Sequence, residues 1–513
     1  MLKVYLLSLL MLTFSSLAFS SESSFSPRYI ELIKKTFYEN GRVSRQKVSQ
    51  YEEKIKKAEK ELLELHANYN KAIKGDSIEK ARKEAKEDSF GIGYSRLRDL
   101  LRELYKASPT EGIAIGSKVI DLTFALKGDG QRMTWEEVLG YAKGFLKNYQ
   151  VKYRNDKQSE AYNLVNSKTG LYYGQDELMK MKAQGEDLSL LNPIGDGKYW
   201  TDTEIESVKI NSTYVKNSQL YKGSKIYFPE DGSSFEFDRV KRTDSRPKFN
   251  VTKVVNGKKL KFKLKFASET HSEVTAAALA AALGYNTDPS QHIVRPKVYF
   301  NKSSRQEFLR DLEGYYGYWN LEDSVAEEGE DSNGEYIIFK RAILEAKPKD
   351  HERLGRWPFN KNGHPDLREV RALSLFMAWI NNNDLKVAEQ NKVVLKTDGS
   401  ADEIFYTNGD LGWSFGNMLN SEFVTFFKSN PIKSTRGGGI SFNYITWHWS
   451  ELFDDITYDD ARWMVRRIAR LSREQITDAV KLGGWPDQVG HVLTEKLIKR
   501  RNRIVKAFDL DSA

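Results

Sequence analysis

A chain of 513 residues with 40% hydrophobic and 12% aromatic content has length for about three domains, and its composition excludes a disordered protein. The net charge of +9 suits anionic ligands but is small for this length. With no zinc-finger spacing and no RNP-type aromatic motif, it gives no ground for nucleic-acid binding. The absence of cysteine excludes disulfides, thiolate metal sites, cysteine nucleophiles and a lipoprotein anchor.

Residues 1–20 read as a signal peptide: a basic MLK start, the apolar run VYLLSLLMLTF and a small-residue end, with Ala18 and Ser20 placed for cleavage after Ser20. The expected destination is the periplasm or the exterior. No later segment is long and apolar enough to span a bilayer, so no transmembrane segment is expected in the mature chain.

Residues 21–195 read as a helical extension. YEEKIKKAEKELLELHANYNKAIK (51–74) is charged, with Leu62, Leu63 and Leu65 on part of one side, and a capping box of Thr134 with Glu137 opens a second helix over 134–149. Such Glu/Lys-rich helices serve as solvated scaffold or docking surface.

Near Asn192-Pro193 the pattern becomes strand-like, and 196–345 reads as a β-rich domain. KIYFPEDGSSFEFDRVKR (225–242) alternates about an Asp231-Gly232 turn, and KFNVTKVVNGKKLKFKLKF (248–266) predicts a hairpin at Asn256-Gly257. SEVTAAALAAALGY (272–285) predicts an apolar helix capped by Ser272 and stopped by Gly284, with Glu273 in its first turn. RPKVYF (295–300) and EYIIFKRAIL (335–344) predict further strands. Lys261, Lys263 and Lys265 fall on one strand face. Alone, that pattern is an ordinary solvated face; facing a helix glutamate, such a lysine can hold phosphate oxygens.

Residues 346–513 read as helical again. PDLREVRALSLFMAWI (365–380) predicts a helix with Pro at its start, and TYDDARWMVRRIARLS and SREQITDAVKLGGW predict two capped helices. Basic KLIKRRNRIVK (496–506) reads as a terminal helix with a solvated face, or else one for anion or membrane contact. Between these lie two acidic turns, NNNDLKVAEQNKVVL (381–395) and NGDLGWSFG (408–416). Either alone is a surface loop. Together they can serve a metal and a phosphate: Asp384 to orient an acceptor, Lys386 to balance the transferred charge, and Asp410 to hold a metal between Gly409 and Gly412. The histidines show no paired ligand spacing, which argues against zinc.

In this order, KLKFASETHSEV with LGY, then INNNDLK, then GDLGWSFG, the pieces resemble the protein-kinase-like superfamily. The resemblance is to the bacterial HipA-type and phosphoinositide-kinase-like group, over roughly 225–480. It implies an α+β, two-lobed protein-kinase-like fold with an α-helical N-terminal extension. The β-rich lobe would be 196–345, and the helical lobe with the two loops 346–513. It implies Lys265 as the nucleotide lysine, Glu273 as its helix partner, Asp384 as the catalytic-loop aspartate and Asp410 as the metal aspartate. The cofactors would be ATP with Mg2+ or Mn2+, and the acceptor a hydroxyl on a protein, lipid or small molecule. The chain departs from the pattern twice. TDSRPKF (243–249) lacks the glycines of a phosphate-covering loop. Glu389 and Gln390 stand where the family places a metal-binding asparagine, with Asn391 one position later. A catalytically inactive kinase-like binding protein, or an interaction protein acting through its N-terminal helices, therefore stands beside the active enzyme as an expectation.

Overall fold

The computed structural model describes residues 27–74, 77–87, 89–127, 154–155, 164–195, 197–241, 247–266, 269–300, 305–306, 308–310, 324–357, 364–382, 384–385, 391–397, 402–418, 421–422, 430–435, 440–443, 453 and 456–510. The signal peptide, the helix expected over 134–149, Lys386, Glu389 and Gln390 lie outside the described residues. The chain divides into two units, one of Met1–Lys127, Met133–Lys143 and Pro486–Val492, the other of Gly128–Arg132, Gly144–Trp485 and Leu493–Ala513.

In the first unit, helices Pro27–Phe37, Arg45–Lys74, Ile78–Glu87, Ser89–Lys106 and Pro109–Lys127 follow one another, with a tight hairpin at Asn40-Gly41 after the first. Ile33, Phe37, Val48, Ile55, Leu97, Leu101 and Leu104 are buried between them. Gly116 lets two helices touch, since a Cβ there would stand 2.8 Å from Ile33.

The second unit is α+β and holds an eight-stranded mixed sheet. In chain order its strands and helix are β1 (Ser234–Val240), β2 (Lys248–Val255), β3 (Lys258–Lys265), α1 (Glu269–Ala282), β4 (Ser290–Val294), β5 (Lys297–Tyr299), β6 (Val325–Asp331), β7 (Gly334–Phe339) and β8 (Arg341–Ala346). Their spatial order is β4-β8-β3-β2-β1-β5-β7-β6, antiparallel except for β1 beside β5. Phe235, Phe237, Phe249, Phe262, Phe266, Phe308 and Phe339 fill the core on this sheet. The β2–β3 hairpin turns at Asn256-Gly257 with both residues at positive φ, as the sequence predicts.

Two strand readings change. Residues 225–230 are not a strand: the Asp231-Gly232 turn is tied down instead by Gly232 N–H to Val294 O and Val294 N–H to Asp231 Oδ1. EYIIFKRAIL is not one strand but two, β7 and β8, broken at Lys340 and paired at distant places in the sheet.

A three-stranded antiparallel sheet follows: β9 (His351–Gly355), β10 (Lys392–Thr397) and β11 (Asp402–Thr407). The same unit holds helices α2 (Arg368–Ile380), α3 (Tyr458–Ala469) and α4 (Arg473–Leu482), and from Leu493 onward α5 (Asp487–Ala507). Capping boxes at Thr457–Asp460 and Ser472–Gln475 start α3 and α4. Arg368 and Arg371, both inside the unit, close on Asp460 at 3.0 and 2.6 Å. Residues 187–195 lie along α2 and α3, where Arg368 donates to Leu188 O and Leu191 O and Trp463 Nε1 to Asn192 Oδ1, and Trp200 Nε1 donates to Leu283 O just past α1. Of STRGGGISFN, expected as a flexible loop, Ser434 ends one short strand and Ile440–Phe442 forms its partner. Among the described residues no helix is long and apolar enough to cross a membrane.

Candidate functional site

The loop after α2 starts from a helix end whose last four carbonyls are all used. Met377 O accepts from Asn382 N, Ala378 O from Asn381 N, Trp379 O from the Arg500 guanidinium, and Ile380 O from Phe415 N at 2.8 Å. Asn381 takes the left-handed conformation that ends a helix without glycine. Asn382 Oδ1 then accepts from Asp384 N at 3.1 Å, which fixes the buried Asp384 two residues on. The Phe415–Ile380 bond also ties the two acidic turns together, since Phe415 closes the turn that begins at Asp410.

That second turn is shaped differently from the expectation. Gly409 and Gly412 are not the residues at positive φ; Asp410 itself (55°), Phe415 (58°) and Gly416 (83°) are. Gly412 is needed for closeness, because a Cβ there would stand 2.6 Å from Cγ of Glu269. Helix α1 grips the turn twice more. Ser272 Oγ donates to Gly412 O, and Trp413 Nε1 donates to Glu269 Oε1 at 3.0 Å. Ser272 is thus not the helix cap: α1 begins at Glu269, and Glu273 stands one turn further in.

The sequence-predicted residues Lys265, Glu273 and Asp410 do meet. Lys265 Nζ donates to both oxygens of Glu273 at 2.7 Å, and Asp410 Oδ1 lies 3.9 Å away. The side chains of Lys265 and Glu273 are buried while that of Asp410 is 45% exposed, so the aspartate faces the open side. Burial opposes the charge on Lys265, but Glu273, Asp410, Glu345 and Glu269 outweigh it and hold its pKa well above the usual lysine value. Burial raises Glu273 to about 7; Lys265 opposes the rise, and Asp410 and Glu269 add to it. Enclosure raises Asp410, yet Lys265, Lys248, Lys392 and Lys263 bring it below the usual aspartate value.

Several of these neighbours were not singled out from the sequence. Lys248 pairs with Lys265 across the β2–β3 ladder, so its place was legible in the hairpin register. Glu269 lies four residues before Glu273 on the same helix face, a signal hidden by starting the helix at Ser272. Glu345 lies opposite Lys263 in the β8–β3 ladder and Lys392 opens β10; their roles depend on strand pairing that no local pattern gives.

Glu269, Glu273 and Asp410 each offer a carboxylate oxygen within 4.8 Å of the others. Hard oxygen donors in this number fit magnesium or manganese, and among the described residues neither thiolate nor imidazole joins them. Asn391 is buried just ahead of β10, one step beyond the Lys392–Thr407 pair, on the side where Asn408 and Asp410 follow. Its Nδ2 has no hydrogen-bond partner among the described residues. Of the six predicted site residues the structure thus brings Lys265, Glu273 and Asp410 together; Asp384 and Asn391 are buried on the neighbouring loop and strand start, and Lys386 lies outside the described residues. Family models, curated proteins and solved structures yield no match to this chain.

Proposed function

We propose that this protein is a two-lobed, kinase-like phosphotransferase. It binds a nucleoside triphosphate with magnesium or manganese and transfers a phosphoryl group to a hydroxyl acceptor. The observation that carries this reading is the meeting of Lys265 and Glu273, on a strand and the helix that follows it, with Asp410 on a turn far along the chain. On this reading the eight-stranded sheet with α1 is the small lobe, and α2 to α5 with the three-stranded sheet form the helical lobe. Lys265, oriented by Glu273, holds phosphate oxygens. Asp410, with Asn391 and the carboxylates of Glu269 or Glu273, would hold the metal, which when bound neutralises phosphate charge. Asp384 accepts the hydroxyl proton, and Lys386 balances charge on the transferred group. The place of action belongs to the same proposal: an exported enzyme of the periplasm or exterior.

Thermal unfolding with ATP and Mg2+ or Mn2+, beside Asp410→Ala, tests it. A ligand at a hundred times its Kd stabilises a fold by about 2.7 kcal/mol. The expected result is a metal-dependent rise in Tm that the variant lacks. No rise with any nucleotide would refute nucleotide binding; a rise without transfer to any acceptor would mark a binding protein on the same scaffold.

A further inference from the structure

Beside the site lies an acid for which the proposed chemistry has no use. Glu345 on β8 is completely buried and serves three cations. Its Oε2 meets Lys263 Nζ and lies 3.7 Å from Lys265 Nζ. Its Oε1 accepts from Arg353 Nη2 at 2.6 Å, and Arg353 also reaches Asp288 at 2.8 Å. Lys263 and Lys265 project from the same face of β3. Lys263 is no solvated lysine, since its side chain is only 7% exposed.

Lys265 therefore stands between two buried carboxylates, Glu273 and Glu345. Unit charges this close attract strongly where water is excluded. If Glu345 lacked its other cations, Lys265 would turn towards it. That movement would withdraw the ammonium from Glu273, from Asp410 and from phosphate oxygens beside them.

We propose that Lys263 and Arg353 are positioning residues that occupy Glu345, so that Lys265 stays with Glu273 and Asp410 and can receive the phosphates of a nucleotide. The inference rests on the nucleotide reading above. It makes Lys263 a residue of the site without contact to ligand. It also makes Glu345 a competitor for Lys265.

Calorimetric titration of the full-length protein with ATP in the presence of Mn2+ tests this. Lys263→Met is expected to weaken binding about tenfold, the loss of one charged hydrogen-bond partner's worth of positioning. Lys263→Met with Glu345→Gln is expected to recover to within about threefold of wild type, because the competing charge is gone. A merely structural role for Lys263 gives no such rescue, and its effects add with those of Glu345→Gln. Unchanged binding in the single variant, or absent recovery in the double, overturns the proposal. If Lys263→Met does not fold, Glu345→Gln alone decides: binding as tight as wild type or tighter supports it, and a tenfold loss overturns it. If the wild type binds no ATP, the nucleotide reading fails by itself. A crystal structure of Lys263→Met then tests the positioning: Lys265 shifted onto Glu345 supports it, and Lys265 unmoved on Glu273 overturns it.

Discussion

Arg500 gives a prediction whose size can be worked from named bonds. The sequence puts this residue in a basic helix with a solvated face, yet both Arg500 and Lys496 are fully buried. The Arg500 guanidinium donates to Trp379 O at 2.6 Å and to Ala378 O. Trp379 Nε1 returns a bond to Leu497 O at 3.1 Å. The cation thus sits on the negative end of α2, where a helix dipole favours it. Arg500→Met keeps the apolar stem and removes the donors. Ala378 O retains Asn381 N, so the carbonyl left bare is that of Trp379. An unsatisfied buried carbonyl costs about 1–3 kcal/mol, and the lost dipole contact adds up to about 1 more. Relief from burying the guanidinium offsets part of this. A net loss of about 2 kcal/mol is expected, which in a unit of this size lowers Tm by about 2–3 °C. The loss should be local as well as global: amide exchange at Asn381, Asn382 and Asp384 should speed up more than exchange in β2 and β3. A Tm within 1 °C of wild type together with unchanged exchange in that loop would refute this account of Arg500.

Two further outcomes follow from the same geometry. Gly412→Ala forces a methyl against Cγ of Glu269 and should abolish the metal-dependent nucleotide shift while lowering basal Tm only modestly; retention of the full shift means the close approach is dispensable. Burial, with Arg341 adding, holds the stacked His271 and His292 in the neutral form, His292 down to about 4. Below about pH 6.5 the unfolded chain takes up protons that folded His292 refuses, so stability should fall from pH 6.5 towards 4, with at most about 3 kcal/mol of the fall due to His292. His292→Phe should flatten that part of a urea-denaturation pH profile, and an unchanged profile rejects the assignment.

What the sequence made legible was whatever depends on neighbours along the chain. The Asn256-Gly257 hairpin, the capping boxes at Thr457 and Ser472, and the strand–turn–helix run carrying Lys265 and Glu273 all have local causes: positive φ, orphan amides, alternation. The sequence points to Ser272 as the start of α1 because serine has the chemistry of a cap, but its hydroxyl donates to Gly412 O on a turn 140 residues away in sequence. EYIIFKRAIL reads as one strand because alternation does not register the break at Lys340. Arg500 and Lys496 read as solvated because their charge says so, and only the carbonyls at the end of α2 explain why they are inside.

The density of buried charge around Lys265 is itself informative. Lys248, Lys263 and Lys265 are buried with Glu269, Glu273 and Glu345, and Asp410 stands at their open edge. Taking ions out of water is costly, and hydrophobic residues of similar volume would hold β3, β8 and α1 together at least as well. Phe249 and Leu264 do this on the opposite face of the same strands, fully buried in the apolar core. The two faces of one hairpin therefore follow different rules. One face is chosen for cohesion. The other sets Glu273, Glu345 and Asp410 against Lys263 and Lys265, so that the charge on each of these five depends on its neighbours. Stability gives no reason for the second face, and charge arranged at a cost to stability is what a site for a charged ligand requires.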